Sequence, residues 1–227
     1  MHKKIGDYIK KYKICVSGSA NLDPCTPHAK ELAKEIGRQI IKQGAVLLTG
    51  ATTGIPYWSA VGAKELNGFS IGFSPASTEK EHIKVYRLPT DVFDVIVYTG
   101  FGYAGRNLLL TRAADAMITI CGRMGTLNEF TIAFEDKKPI GVLEGTGGTA
   151  DKIDYLFKGG YRGKKKIVQN PYPNVLVKKL IAMVKKEKQG NHKPRSRTLT
   201  KLRLRKQVKV SLRGKGREKS DKMQINE

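Results

Sequence analysis

Six short runs along the chain are almost wholly apolar: YKICV (12–16), AVLLT (45–49), SIGF (70–73), DVIVYT (94–99), AMITIC (116–121) and PIGVL (139–143). A strand with one wet face alternates apolar and polar residues, whereas a strand apolar on both parities must be covered on both sides. Stretches of helical period lie between the runs. The clearest carries Ala29, Leu32, Ala33, Ile36 and Ile40, with Thr26-Pro27 as an expected cap and first helical residue and Gly44 as a stop. Further helices are expected from about Tyr57 to Leu66, Arg106 to Ala114, Thr126 to Glu135 and Asn174 to Lys188. Strand and helix in alternation predict an α/β fold, a Rossmann-like parallel sheet with helices on both faces.

The pattern ends near Lys188, so residues 1–188 are expected to form one Rossmann-like domain and 189–227 a basic C-terminal tail. Between Gln189 and Glu227 there are 13 Lys or Arg and 3 Asp or Glu, a net +10 of the whole chain's +22. Leu202, Leu204, Val208, Val210 and Leu212 share one parity there, with basic residues dominating the other. That is strand periodicity, and the tail is expected to be flexible or to form a strand on a partner. Its charge suits a polyanion, nucleic acid included; a solvated extension is the plainer alternative.

No apolar stretch approaches the ~18–20 residues that cross a bilayer, and MHKKIGDYIKKYKI has no long apolar core of a signal peptide. A cytoplasmic protein without membrane contact is expected. Cys15, Cys25 and Cys121 form no Cys-x-x-Cys pair and no zinc-spaced cluster with His. The odd count fits a reducing compartment, Cys15 reads as a small core residue, and no metal site is expected.

Ligands of parallel α/β sheets bind at the carboxyl ends of the strands. Three glycine-containing turns fall there: Gly18-Ser19, Gly50 with Gly54, and Gly122 with Gly125. Glycine lets backbone approach a ligand, and a following helix N-terminus aims free amides at an anion. The dinucleotide fingerprint G-x-G-x-x-G is absent after the first run. Tyr57 and Trp58, near the second turn, could stack on a base or sit in the core.

The most specific segment is Cys121-Gly122-Arg123-Met124-Gly125-Thr126-Leu127-Asn128-Glu129. It follows a buried strand and opens a helix, so Gly122 to Thr126 should face an open pocket. Thr126 could cap that helix and also donate to a phosphate. Glu129, three positions on, could close a capping box with Thr126 or serve a ligand.

These residues resemble the P-G-G-x-G-T-x-x-E signature of the Lonely Guy phosphoribohydrolases, often labelled lysine decarboxylases. Gly122, Gly125, Thr126 and Glu129 match it; Cys121 stands for the proline and Arg123 for the second glycine. Arg106 lies fifteen residues before Cys121, Arg112 six after Arg106, and Ala114-Asp115-Ala116 leads into the strand, as in that family. Asn107 stands where the family has lysine. The likeness runs over roughly residues 12–185 and is nearest to a bacterial and archaeal branch that also resembles molybdenum-cofactor carrier proteins.

The resemblance implies a homodimer that binds a nucleoside 5′-monophosphate. The glycine loop, from Gly122 through Met124 to Thr126, would hold the 5′-phosphate, with Arg123 able to fork onto it. Arg106 would contact the phosphoribose, with Asn107 and Arg112 close by. Glu129 would orient water or stabilise the positive charge that develops as the N-glycosidic bond breaks, releasing free base and ribose 5-phosphate. No lysine has a pyridoxal-phosphate context and no cofactor is expected. The alternative is a non-catalytic carrier of a nucleotide or a pterin-type cofactor.

The tail can be tested alone. Truncation after Lys188 should leave thermal stability and monophosphate binding intact. It should sharply reduce retention on immobilised RNA at low salt, because each phosphate neutralised by the tail releases counterions. Unchanged retention would leave the tail without a nucleic-acid role.

Overall fold

The computed structural model describes residues 11–157 and 166–191. In chain order its elements are β1 (Lys13–Gly18), α1 (Ala29–Lys42), β2 (Val46–Thr49), α2 (Ile55–Lys64), β3 (Ser70–Ser74), α3 (Glu79–Lys84), β4 (Val95–Tyr98), α4 (Gly102–Ala113) and β5 (Ala116–Ile120). There follow α5 (Met124–Glu135), β6 (Ile140–Leu143), a 3-10 turn (Ala150–Lys152), α6 (Ile153–Phe157), β7 (Ile167–Asn170) and α7 (Pro173–Asn191). The seven strands form one parallel sheet in the order β4-β3-β2-β1-β5-β6-β7. The chain builds outward from β1 to one edge, then returns to place β5 on the other side of β1. The carboxyl ends of β1 and β5 therefore flank the switch point, where parallel sheets open a crevice.

Alternation within each strand splits the core in two. Ile14, Val16, Leu47, Ile118 and Ile120 face α1, α2 and α7 in one cluster. Cys15, Leu48, Met117, Ile140 and Val142 face the other side with Leu110, Phe130 and Ile153. Asp115, just ahead of β5, accepts from the backbone amide of Lys13 at 2.8 Å and so ties the starts of the two central strands. On one flank, α1 and α2 meet backbone to backbone. A Cβ added at Gly37 would lie 2.0 Å from the Ser59 carbonyl oxygen, and one at Gly62 the same distance from that of Lys34.

All six expected strands are present, with bounds shifted by a residue or two. Three expectations need correction. Thr26 does not cap α1, which starts at Ala29 behind His28; its hydroxyl instead donates to the Gly145 carbonyl at 3.0 Å. Coverage on both faces fails at β4, where Val95 and Val97 are exposed on a strand that ends the sheet and pairs with β3. The cysteines are not all separate, since Cys25 and Cys121, 96 residues apart, are joined as a disulfide. Cys15 is free and fully buried, as expected.

The sequence reading omitted α3, α6 and β7. By internal contacts the chain divides after Lys185, and only the end of α7 represents the second unit among the described residues. Gln189 to Asn191 continue that helix; the remainder of the expected basic tail, with its alternating segment, lies outside the described residues. No helix among the described residues is long and apolar enough to cross a membrane.

Candidate functional site

A cavity of about 460 Å³ opens at the switch point. The end of β1 and its turn supply Ser17, Gly18 and Ser19, the turn after β2 supplies Gly50 and Thr52, and α4 supplies Tyr103, Arg106 and Asn107. Arg123, Gly125, Thr126 and Glu129 come from the turn after β5 and the first turns of α5. The segment Gly122 to Thr126 runs from the end of β5 into the first turn of α5, and Arg123, Gly125 and Thr126 of it border this cavity.

Glu129 and Arg106 form a buried ion pair, Nη1 to Oε1 at 3.2 Å, each side chain only 7 % exposed. Ser17 donates its hydroxyl to the other carboxylate oxygen of Glu129. Asn107 donates to Asn128 Oδ1 at 2.9 Å; with its amide turned over it donates instead to Glu129 Oε1 and to the Tyr103 carbonyl, each at 3.0 Å. The capping box between Thr126 and Glu129 is not formed. The helix begins two residues before Thr126, at Met124, and no side chain caps it. Burial pushes the Glu129 carboxyl above the usual glutamate range, against the opposing pull of Arg106 and Ser17. Burial, with Glu129 nearby, likewise pushes the Cys15 thiol well up, so Cys15 stays protonated and unreactive.

The Arg106 guanidinium is seated by its surroundings. It lies over the Tyr103 ring, 5.8 Å from the centroid, one turn earlier on α4. It also fills the space that a side chain at residue 50 would take, since a Cβ on Gly50 would lie 1.8 Å from Nη1. Gly50 therefore borders the cavity and leaves room there for Arg106. Two buried atoms of cavity-lining residues, Arg106 Nε and Ser19 Oγ, have no hydrogen-bond partner among the described residues. At the start of α5, the Leu127 amide bonds back to Arg123. The amides of Met124, Gly125 and Thr126 precede that bond and have no acceptor within the helix.

Gly125 differs from the other described glycines. It has no positive φ, and a Cβ added there would meet nothing within 4 Å, so neither backbone conformation nor packing calls for glycine.

Four expected site residues lie off this cavity. Arg112 is exposed and pairs with Asp136 at 3.3 Å, because position 112 falls six residues beyond Arg106 on α4, away from the cavity side. Gly54 supports the β1 turn from behind, its Cβ position 2.2 Å from the Ser19 carbonyl. Gly122 and Met124 line a second cavity of about 410 Å³ on the far side of the glycine loop, with Pro24, Leu127, Gly148, Thr149 and Lys152. Arg123 borders both cavities. Tyr57 and Trp58 pack on each other edge to face and against the core, and Tyr57 donates to Asp91, so neither offers a stacking face here. Conversely, Ser17, Thr52 and Tyr103 were missed. Ser17 could have been found as the polar residue near the end of the central strand, and Tyr103 as an aromatic one turn before Arg106.

The seating of Arg106 yields a prediction. Gly50→Ala should displace the guanidinium from Glu129 and cost about 1–3 kcal/mol, the range for overpacking a tight site. Urea unfolding of the two proteins measures this, and an unchanged midpoint would show that Arg106 has another seat.

Known proteins share this fold. The SLOG cluster4 family profile matches residues 11–177. An uncharacterized protein of Archaeoglobus fulgidus is 28 % identical over 132 residues, 58 % of this chain and 82 % of the relative. The X-ray structure of TM1055 is 25 % identical with a TM-score of 0.65, covering 76 % of this chain and 99 % of that one. The molybdenum cofactor carrier protein of Chlamydomonas reinhardtii is 27 % identical with a TM-score of 0.59, again over 76 % and 99 %. These matches agree with the resemblance carried by the glycine loop, and the chain belongs to the SLOG cluster4 family.

Proposed function

We propose that the switch-point cavity binds a nucleoside 5′-monophosphate and hydrolyses its N-glycosidic bond, releasing free base and ribose 5-phosphate. The observation that carries this reading is the buried Glu129 carboxylate, paired with Arg106, on the wall of a cavity that also takes in the first turn of α5. A carboxylate held beside a helix N-terminus suits a ligand that carries a phosphate and develops positive charge close to it.

The roles follow from position. The free amides at the start of α5 and the Thr126 hydroxyl suit a phosphate, with the helix dipole adding attraction. Gly125 leaves open space in front of those amides, which a phosphate oxygen would occupy. Arg123 at the rim supplies a second cation. Arg106 would hold both the phosphoribose and the Glu129 carboxylate. As the bond to the base breaks, positive charge grows at the anomeric carbon, and Glu129 stabilises it or orients the attacking water.

A second reading, binding without turnover, is favoured by one specific departure. Asn107 is neutral where the phosphoribohydrolases have lysine, and a solved relative is a molybdenum cofactor carrier protein. Such a carrier would use the same cavity for a pterin-type cargo. Incubating the protein with a panel of nucleoside monophosphates and assaying released base separates the two. The homodimer implied by the family resemblance is retained as part of the proposal. So is a cytoplasmic location.

Glu129→Gln should lower turnover by about 10²–10⁴-fold, the range for removing a positioned acid or base, and leave monophosphate binding largely intact. Undiminished activity would refute the role. The carboxylate form is the working one, and burial raises its pKa. Activity should therefore rise with pH through an inflection above the ordinary glutamate value of about 4.3. In Arg106→Gln the downward pull of the guanidinium is lost, so the inflection should move to still higher pH. An inflection that does not move would separate the limb from Glu129.

Gly125→Ala offers a cleaner separation of fold from function. Replacing an unforced helical glycine should stabilise the protein by about 0.5–1 kcal/mol. The added methyl stands in the space assigned to the phosphate, so affinity for AMP should fall. Calorimetry of unfolding and of AMP binding reads both, and unchanged affinity would move the phosphate elsewhere.

A further inference from the structure

The disulfide between Cys25 and Cys121 connects two of the turns that build the cavity. Cys25 lies in the turn between β1 and α1, which contributes Ser19 and Ala20 to the cavity wall. Cys121 is the residue between β5 and the glycine loop, directly ahead of Gly122 and Arg123. It has φ +51°, a left-handed conformation that a non-glycine residue adopts only when its surroundings hold it there. Its amide donates to Thr146 Oγ1 at 2.8 Å, and its carbonyl accepts from Ala150 at 2.8 Å.

The other ties between the two turns pass through the segment 145–150. Thr26 donates its amide to the Thr146 carbonyl and its hydroxyl to that of Gly145, each at 3.0 Å. Thr149 donates its amide to the Gly122 carbonyl at 2.9 Å and its hydroxyl to that of Arg123 at 3.0 Å. The disulfide therefore adds a direct covalent link to a hydrogen-bonded bracket that can hold the fold without it. The two cysteines differ in access, because Cys121 is fully buried and Cys25 is partly exposed.

We propose that Cys25 and Cys121 form a thiol–disulfide switch that sets the rigidity of the cavity, tight when bridged and loose when reduced. The proposal rests on reading that cavity as the ligand site. A thiolate of a dithiol reductant attacks Sγ of Cys25, the more exposed cysteine. The S–S bond breaks, and Cys121 leaves as a thiolate that takes a proton. The second thiol of the reductant then attacks the mixed disulfide and frees the Cys25 thiolate, which is protonated in turn. Overall one protein disulfide becomes two thiols while one dithiol becomes a disulfide, and a disulfide oxidant reverses the sequence. With the bridge closed, the turn bearing Ser19 and the loop bearing Arg123, Gly125 and Thr126 are held in register before a ligand arrives. Preorganisation of this kind raises affinity by lowering the ordering cost of binding.

Full-length protein, oxidised or reduced with dithiothreitol, tests the switch with AMP as the probe. Native-state alkylation should label Cys25 only after reduction. The oxidised form should bind AMP about five- to tenfold more tightly, a span typical of coupling between sites. Cys25→Ser should show the weaker affinity with or without reductant. Equal affinity in the two redox forms, or ready labelling of Cys25 in oxidised protein, overturns the proposal. Hydrogen exchange provides a readout that needs no ligand. Amides of 19–26 and 121–126 should exchange faster after reduction, and identical exchange overturns the switch. If AMP binds neither form, the monophosphate reading fails and hydrogen exchange alone decides the switch.

Discussion

The ion pair between Arg106 and Glu129 sets terms for the elements around it. Taking two charges out of water costs several kcal/mol per ion unless each is paired and its remaining hydrogen-bonding capacity is met. The pair lies where β1 and β5 diverge, and four different segments meet its demands. β1 carries Ser17 next to its last residue, and Ser17 donates to the carboxylate. The turn after β2 gives up its side chain at Gly50 to leave a seat for the guanidinium, and α4 brings Tyr103 beneath it and Asn107 beside it. α5 delivers Glu129 itself. A fold that failed to bring any one of these together would bury an uncompensated charge.

The same pair leaves the cavity unevenly satisfied. Glu129 is well supplied with donors, whereas the Arg106 Nε–H finds no acceptor and the Ser19 hydroxyl no partner among the described residues. The charge distribution also differs from that of the phosphoribohydrolases the chain resembles. A cation expected beside Arg106 is replaced by the neutral Asn107, while Arg123 places a cation in the glycine loop. Asn107 is buried and Arg123 lies at the exposed rim. There Arg123 is shared between the main cavity and the second one behind the loop.

Much of this was legible in the sequence, for identifiable reasons. Runs such as AVLLT and AMITIC are apolar on both parities, and only a doubly covered parallel strand accommodates that, so the sheet was readable. Glu129 and Arg106 were readable through family spacing. What escaped depends on contacts distant in sequence. Ser17 matters because it lies across from a residue 112 positions away. Thr26, a good cap by local chemistry, is drawn off by Gly145, and Cys25 meets Cys121 only once the β1 turn folds over the end of β5. Arg112 carries the family spacing but lies on the wrong side of α4, and spacing alone does not reveal orientation. β7, at the far edge and only half-buried, has too weak a pattern to distinguish it from a loop.

The contact between α1 and α2 bears on how such a chain can diverge. At Gly37 and Gly62 the opposing atoms belong to the main chain of the other helix, not to side chains that could rotate aside. A methyl group at either position cannot be accommodated by one compensating substitution nearby, because no alternative residue removes a carbonyl oxygen. Drift at these two sites requires the helices to separate bodily, which would open the core that Ile36, Ile40 and Ala63 fill. Among lineages that keep this packing, the two positions should remain fixed while the cavity residues vary with the ligand. The flank of the molecule with no chemistry of its own is then the slower to change.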